Sequence, residues 1–149
     1  MLNQSNYTIL LVEDDANDIL LIRRAFRKIN AINPIHIVKD GEEAIAYLQG
    51  QGEYGDRDTY PLPLLMLLDL KLPRKSGLEV LEWLRQQPNL KRLPVVVLTA
   101  SRENADINVA YDIGINSYLI KPPNFKALQN MLGDVNNYWL SLNQQPILK

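Results

Sequence analysis

Residues 64–69 read Leu-Leu-Met-Leu-Leu-Asp, an unbroken apolar run that ends on a carboxylate. The run is too short for a helix and lacks the alternation of a strand that faces water on one side. It reads as a strand, Leu64 to Leu68, covered on both faces, which is the mark of a parallel sheet between two helical layers. The same pattern recurs on either side. Upstream, Thr8 to Val12 is a buried strand followed at once by Glu13, Asp14 and Asp15, and a weaker run occupies Ile35 to Val38. Downstream, Val95 to Leu98 ends at Thr99, and Tyr118 to Ile120 ends at Lys121-Pro122-Pro123.

Between these runs the apolar residues take helical spacing. Ile19, Leu20, Ile22, Ala25, Phe26 and Ile29 form one stripe, stopped by Asn33-Pro34. Ala44, Ile45 and Leu48 follow the turn Asp40-Gly41 and close at Gly50. Leu78, Val80, Leu81 and Leu84 run to Pro88, Ile107, Ala110 and Ile113 run to Gly114, and a last helix starts near Asn124. Gln49 to Pro63 holds three Gly and two Pro with clustered charge, and is expected to be a long, partly mobile loop rather than a domain linker. The count is (βα)5, a doubly wound five-stranded parallel sheet of the flavodoxin-like kind. One domain is expected, with a core over about 7–133 and a helical extension over about 134–149.

Composition removes several chemistries. The 149 residues carry 16 Lys+Arg against 17 Asp+Glu, a net charge of -1, which does not suit a general nucleic-acid surface. The absence of Cys excludes disulfides, zinc fingers, iron–sulfur clusters and a thiol nucleophile. His36 is the one histidine, so an imidazole metal cluster is excluded too, and alone on a strand it reads as a packing residue. No apolar run approaches the ~18–20 residues that cross a bilayer, and the polar Asn3-Gln4-Ser5-Asn6 does not resemble a signal peptide. A soluble, cytoplasmic protein is expected.

A doubly wound sheet places its ligand site beyond the carboxyl ends of its strands. Here those ends carry Glu13-Asp14, Asp69, Thr99 and Lys121. Each has an ordinary explanation alone: Asp14 and Asp15 as helix caps, Asp69 as a turn residue, Thr99 as a β-branched strand residue, Lys121 as a solvated charge. Their coincidence at successive strand ends argues for chemistry. Gathered carboxylates repel one another and either protonate or recruit a cation, and all-oxygen ligands favour Mg²⁺ or Mn²⁺. Lys121 adds a mobile positive charge and Thr99 a hydroxyl donor, which together hold a phosphoryl group on an anionic oxygen. Asp69 is the central candidate nucleophile.

In the pieces LLVEDD, LLDLKLPRKSG, VVVLTAS and YLIKP, the chain resembles the receiver domain of two-component response regulators over about Thr8 to Leu132. The resemblance implies that Asp69 accepts the phosphoryl group from a sensor histidine kinase. It also implies that Mg²⁺ is bound by Glu13, Asp14, Asp69 and the backbone carbonyl of Lys71, and that Thr99 and Lys121 contact the phosphoryl group. Tyr118 matches the aromatic that switches rotamer together with Thr99, and Lys121-Pro122 the family's cis peptide. Glu13 stands where Asp is more frequent. Lys71 points a cation toward where water would attack, so it is expected to alter phosphoryl hydrolysis.

The segment beyond Pro122 is too short for a DNA-binding output domain, so a stand-alone receiver is expected. Phe125, Leu128, Leu132, Val135, Trp139 and Leu142 step by a helix-seam spacing. Beyond Val135 this seam outruns a receiver core, which predicts an exposed patch of Tyr138, Trp139 and Leu142 and a homodimer through the fifth-strand and last-helix region. The long loop, the DLKLPRKSG segment and the tail look like the regulators of cyanobacterial phytochrome kinases. No nucleic acid and no membrane are expected as partners. Three alternatives share parts of this pattern. A haloacid dehalogenase-like phosphotransferase needs a second Asp where Lys71 stands. A flavodoxin-like FMN carrier needs a phosphate loop where the acids stand. An interaction module that has lost phosphorylation has no need of the acceptor set.

Overall fold

The computed structural model describes residues 7–148; the polar stretch at 3–6 lies outside them. Five strands, β1 (Ile9–Val12), β2 (Ile35–Val38), β3 (Leu65–Leu68), β4 (Val95–Thr99) and β5 (Ser117–Ile120), form one parallel sheet in the order β2-β1-β3-β4-β5. The five strands and the doubly wound topology match the sequence expectation, with ends shifted by a residue. Every residue of β1, β3 and β4 is buried, whereas β5 is half-buried throughout, as an edge strand must be.

Because side chains alternate across a strand, the continuous apolar runs divide between two cores. Leu10, Val12, Met66, Leu68, Val95 and Val97 face one layer, formed by α2 (Gly41–Gln49), α3 (Gly77–Arg85) and α4 (Asn104–Ile113). Ile9, Leu11, Leu65, Leu67, Val96 and Leu98 face the other, formed by α1 (Ala16–Lys28) and α5 (Phe125–Val135). Helix starts are set by side chains that satisfy orphan backbone donors. Asp15, Asp40 and Asn124 accept from Asp18, Glu43 and Ala127 N–H groups, and Ser76 forms a reciprocal capping box with Glu79.

Two segments depart from expectation. The loop over 49–63 contains a short 3₁₀ turn (Gly52–Gly55) and is tied down from within. Arg57 Nη1 donates to Tyr47 O at 2.8 Å and Tyr60 O at 3.1 Å, Nη2 to Leu48 O at 2.8 Å, and the Tyr47 hydroxyl to Pro61 O at 2.8 Å. Tyr54 and Tyr60 pack edge to face, 5.0 Å between ring centroids. After Val135 the chain enters a π-helical segment (Asn136–Leu142) instead of continuing as an α-helix. The longer repeat moves the buried position from the expected seam onto Leu140, five residues after Val135. Trp139 is half-buried against its own core, while Tyr138 and Leu142 are exposed.

Candidate functional site

The parallel ladders carry the strand-end residues to one edge of the sheet. Glu13 N–H donates to Val38 O at 3.0 Å, Asp69 N–H to Val12 O at 3.0 Å, and Lys121 N–H to Thr99 O at 2.8 Å, so each residue leaves its strand in register with its neighbour. Gly77 lets α3 begin hard against this edge. A Cβ there would lie 2.3 Å from the Asp69 carbonyl oxygen, a distance no side chain tolerates.

Glu13, Asp14 and Asp69 place carboxylate oxygens within 4.8 Å of one another. Glu13 and Asp69 are buried and Asp14 is exposed, so the cluster opens to solvent on one side. Its ligands are all oxygen, and carboxylates held this close in a partly desolvated pocket are the donor set of a hard divalent cation. Burial, then the Asp69 charge, push the Glu13 carboxyl up to about 7, against hydrogen bonds from Lys121 and from the Asp15 N–H that pull it down.

Both candidate phosphoryl-holding groups converge on Asp69. The Thr99 hydroxyl donates to Asp69 Oδ1 at 2.7 Å, and Lys71 N–H donates to the same oxygen at 3.2 Å. Lys121 Nζ lies 2.9 Å from Asp69 Oδ2 and 2.6 Å from Glu13 Oε1. Burial disfavours the Lys121 charge, but hydrogen bonds to Asp18, Glu13 and Asp69 outweigh it and hold the ammonium well above its ordinary range. The Lys121–Pro122 peptide is trans, since no cis bond occurs among the described residues; this corrects the expected cis linkage, and trans is the lower-energy form for most X–Pro bonds.

From Thr99 the contacts lead away from the acids. Ser101 N–H reaches Thr99 Oγ1 at 3.5 Å, and the Ser101 hydroxyl donates to Asp106 Oδ2 at 2.6 Å. The Tyr118 hydroxyl donates to Ser101 O at 3.0 Å. Burial raises the Tyr118 phenol, so it stays a neutral donor. Tyr138, Trp139 and Leu142 lie apart from this edge. Tyr138 and Trp139, with Ser117, Leu119, Met131 and Val135, line a groove of about 540 Å³ beside β5.

One site residue escaped the sequence reading. Asp18, in the first turn of α1, accepts from Lys121 Nζ at 2.8 Å. An acid in a first helical turn already has a reason in the helix dipole, so nothing in the sequence singled it out.

A family model described as the response regulator receiver domain matches residues 9–133. Response regulator Rcp1 of Synechocystis sp. is 43% identical over 132 residues, covering 89% of this chain and 88% of that protein. A probable methanogenesis regulatory protein of Methanothrix harundinacea, FilR2, is 41% identical over 140 residues, covering 94% of this chain and 88% of that one. The crystal structure of the phosphorylated cyanobacterial phytochrome response regulator RcpA superposes with a TM-score of 0.88 at 40% identity, over 95% of this chain and 99% of that one. The Mn²⁺-bound form of Rcp1 superposes at 0.84 with 41% identity, over 94% and 99%.

Proposed function

The chain belongs to the response regulator receiver family, and from that premise we propose that Asp69 is its phosphoacceptor, in a reaction that depends on Mg²⁺. The convergence of Lys121 and Thr99 on the two oxygens of Asp69 carries this reading. Glu13, Asp14, Asp69 and the Lys71 carbonyl are the proposed metal ligands. Bound there, the ion neutralises charge on the acceptor carboxylate and on the incoming phosphoryl oxygens.

The residues of the chain do the rest. An Asp69 carboxylate oxygen attacks phosphorus in line, the P–N bond of a phosphohistidine donor breaks, and the imidazole leaves with the electron pair as a neutral ring once protonated. Lys121 passes from carboxylate to phosphoryl oxygen, and the Thr99 hydroxyl follows the same charge. Movement of Thr99 pulls on the contacts through Ser101 and shifts the population of Tyr118 positions, which carries the change to α4 and β5.

The proposed donor is a cytoplasmic sensor histidine kinase of the phytochrome class, supported by the likeness to RcpA, whose name records phytochrome signalling. A homodimer through the groove beside β5 and the exposed Tyr138 and Leu142 is part of the same reading. Incubation with acetyl phosphate and Mg²⁺ tests the acceptor. Intact-mass analysis is expected to show one phosphoryl adduct in the wild type and none in Asp69→Asn; the same adduct in the Asn variant overturns the assignment.

A further inference from the structure

Lys121 has one carboxylate partner that the cation cluster does not claim. Its ammonium lies 2.6 Å from Glu13 Oε1, 2.8 Å from Asp18 Oδ2 and 2.9 Å from Asp69 Oδ2, so its three N–H donors are all committed. Glu13 and Asp69 belong to the carboxylate cluster with Asp14, and Asp18 does not. When Glu13 and Asp69 turn to a divalent cation, Lys121 loses two partners and meets like charge at close range. A largely buried ammonium left without acceptors is costly. The Lys121 side chain is 14% exposed, so water cannot make up the loss.

Asp18 is the acceptor that remains. Its backbone is fixed by the helix start, where its N–H donates to Asp15 Oδ1 at 2.9 Å. Its side chain is 35% exposed against 2% for Glu13, so it stands at the edge of the pocket rather than inside the cluster.

We infer that Asp18 is a positioning residue that holds the Lys121 ammonium beside the site while Glu13 and Asp69 serve the cation. Metal and lysine thereby share one pocket without competing for every carboxylate. This rests on the reading of the metal site proposed above, and it separates Asp18 from a plain surface acid. Lysine is kept within reach of the phosphoryl position through each stage, and the effect is exerted through Lys121 alone.

The test is a double-mutant cycle read by Mn²⁺ affinity, using calorimetry or the spin-resonance signal of the free ion, with no phosphodonor present. In the Lys121 background Asp18→Asn is expected to weaken Mn²⁺ binding about tenfold, the worth of one charge-assisted hydrogen bond. In the Lys121→Met background the same substitution is expected to cost about twofold or less, because only a screened Coulomb effect is left. Asp18→Glu, which keeps the carboxylate, restores affinity in the Lys121 background. Asp18→Ser repeats the cycle with a residue suited to helix starts, so a poorly folded Asn variant does not decide the result. Equal losses in both backgrounds overturn the role of Asp18 and leave the metal site standing. A wild type that binds no Mn²⁺ overturns both.

Discussion

The Thr99 hydroxyl and Asp69 Oδ1 meet at 2.7 Å, with Thr99 fully buried and Asp69 7% exposed. The bond joins the ends of adjacent strands β3 and β4, so a change at the Asp69 carboxylate is passed directly to Thr99. Thr99→Val keeps the shape and removes the donor. Labelling by acetyl phosphate is expected to slow about tenfold, one charge-assisted hydrogen bond's worth, while Mn²⁺ affinity changes by less than about threefold because no carboxylate is lost. Time courses by intact mass and a metal titration check the two halves separately.

The legible part of the site is the part that strand ends dictate. Glu13, Asp69, Thr99 and Lys121 each end an apolar run, and a parallel sheet brings such ends to one edge, where the order β1-β3-β4-β5 sets them side by side. Asp18 was not legible, because its reach to Lys121 depends on where α1 lies over the sheet edge. Arg57 was hidden in a Gly-rich, charged stretch that looked mobile, yet its guanidinium satisfies three backbone carbonyls and orders the turn. The last helix misled for a different reason. Spacing of three and four presumes an unbroken α-helix, and the π segment after Val135 hands the buried position to Leu140.

Lys71 is exposed, and its N–H rather than its side chain contacts Asp69. Lys71→Ala keeps the backbone, so labelling and metal affinity are expected to change little. Loss of the phosphoryl group is expected to change more, because under the proposed reading the exposed ammonium faces the side from which water attacks. Decay of labelled protein after removal of the phosphodonor checks this. Unchanged decay with a collapse in Mn²⁺ affinity contradicts it.

Arg85 closes the opposite end of the sheet, with no carboxylate partner among the described residues. Nε donates to Gly114 O at 2.7 Å, and Nη1 to Lys91 O at 2.8 Å and Leu93 O at 2.7 Å, tying the end of α3 to the approach of β4 and the turn before β5. Arg85→Ala strands several carbonyls and is expected to destabilise the fold by about 2–4 kcal/mol. Arg85→Lys is expected to recover only part of this, since a single ammonium cannot span the set. Urea unfolding of both variants provides the comparison.

His36 packs against Tyr47 and Tyr60, with ring centroids 5.8 and 5.5 Å away, and burial lowers its imidazole below the ordinary 6.5. Between the lowered value and 6.5 the unfolded chain binds the proton and the folded chain does not, so stability rises with pH across that window. The contribution is complete above 6.5 and is lost as pH falls through the folded value. His36→Phe keeps the ring contacts and removes the proton. Its urea midpoint, relative to wild type, is expected to improve as pH drops from 6.5 and to run parallel above it.

The tail supplies the last expectation. Leu140 is buried, whereas Tyr138 and Leu142 are 54% and 63% exposed on the same short segment. Leu140→Ala opens a cavity and is expected to cost about 2–4 kcal/mol of stability. Tyr138→Ser and Leu142→Ser touch little of the chain's own core and are expected to leave unfolding within about 0.5 kcal/mol of wild type. Under the proposed homodimer these two substitutions act instead on association. Apolar surface buried between copies contributes at ~25 cal/mol per Å², and ordering and lost rotational freedom offset much of it, so the dimer is expected to be of modest affinity. The groove beside β5 shares its strand with Tyr118, so under the proposed homodimer phosphorylation is expected to shift the monomer–dimer balance by its difference in fit to the two states. Sedimentation at high protein concentration is expected to show a concentration-dependent dimer that the Tyr138→Ser, Leu142→Ser pair makes monomeric without loss of labelling at Asp69. A wild type that stays monomeric with and without phosphate removes the dimer and leaves the exposed pair to a different partner.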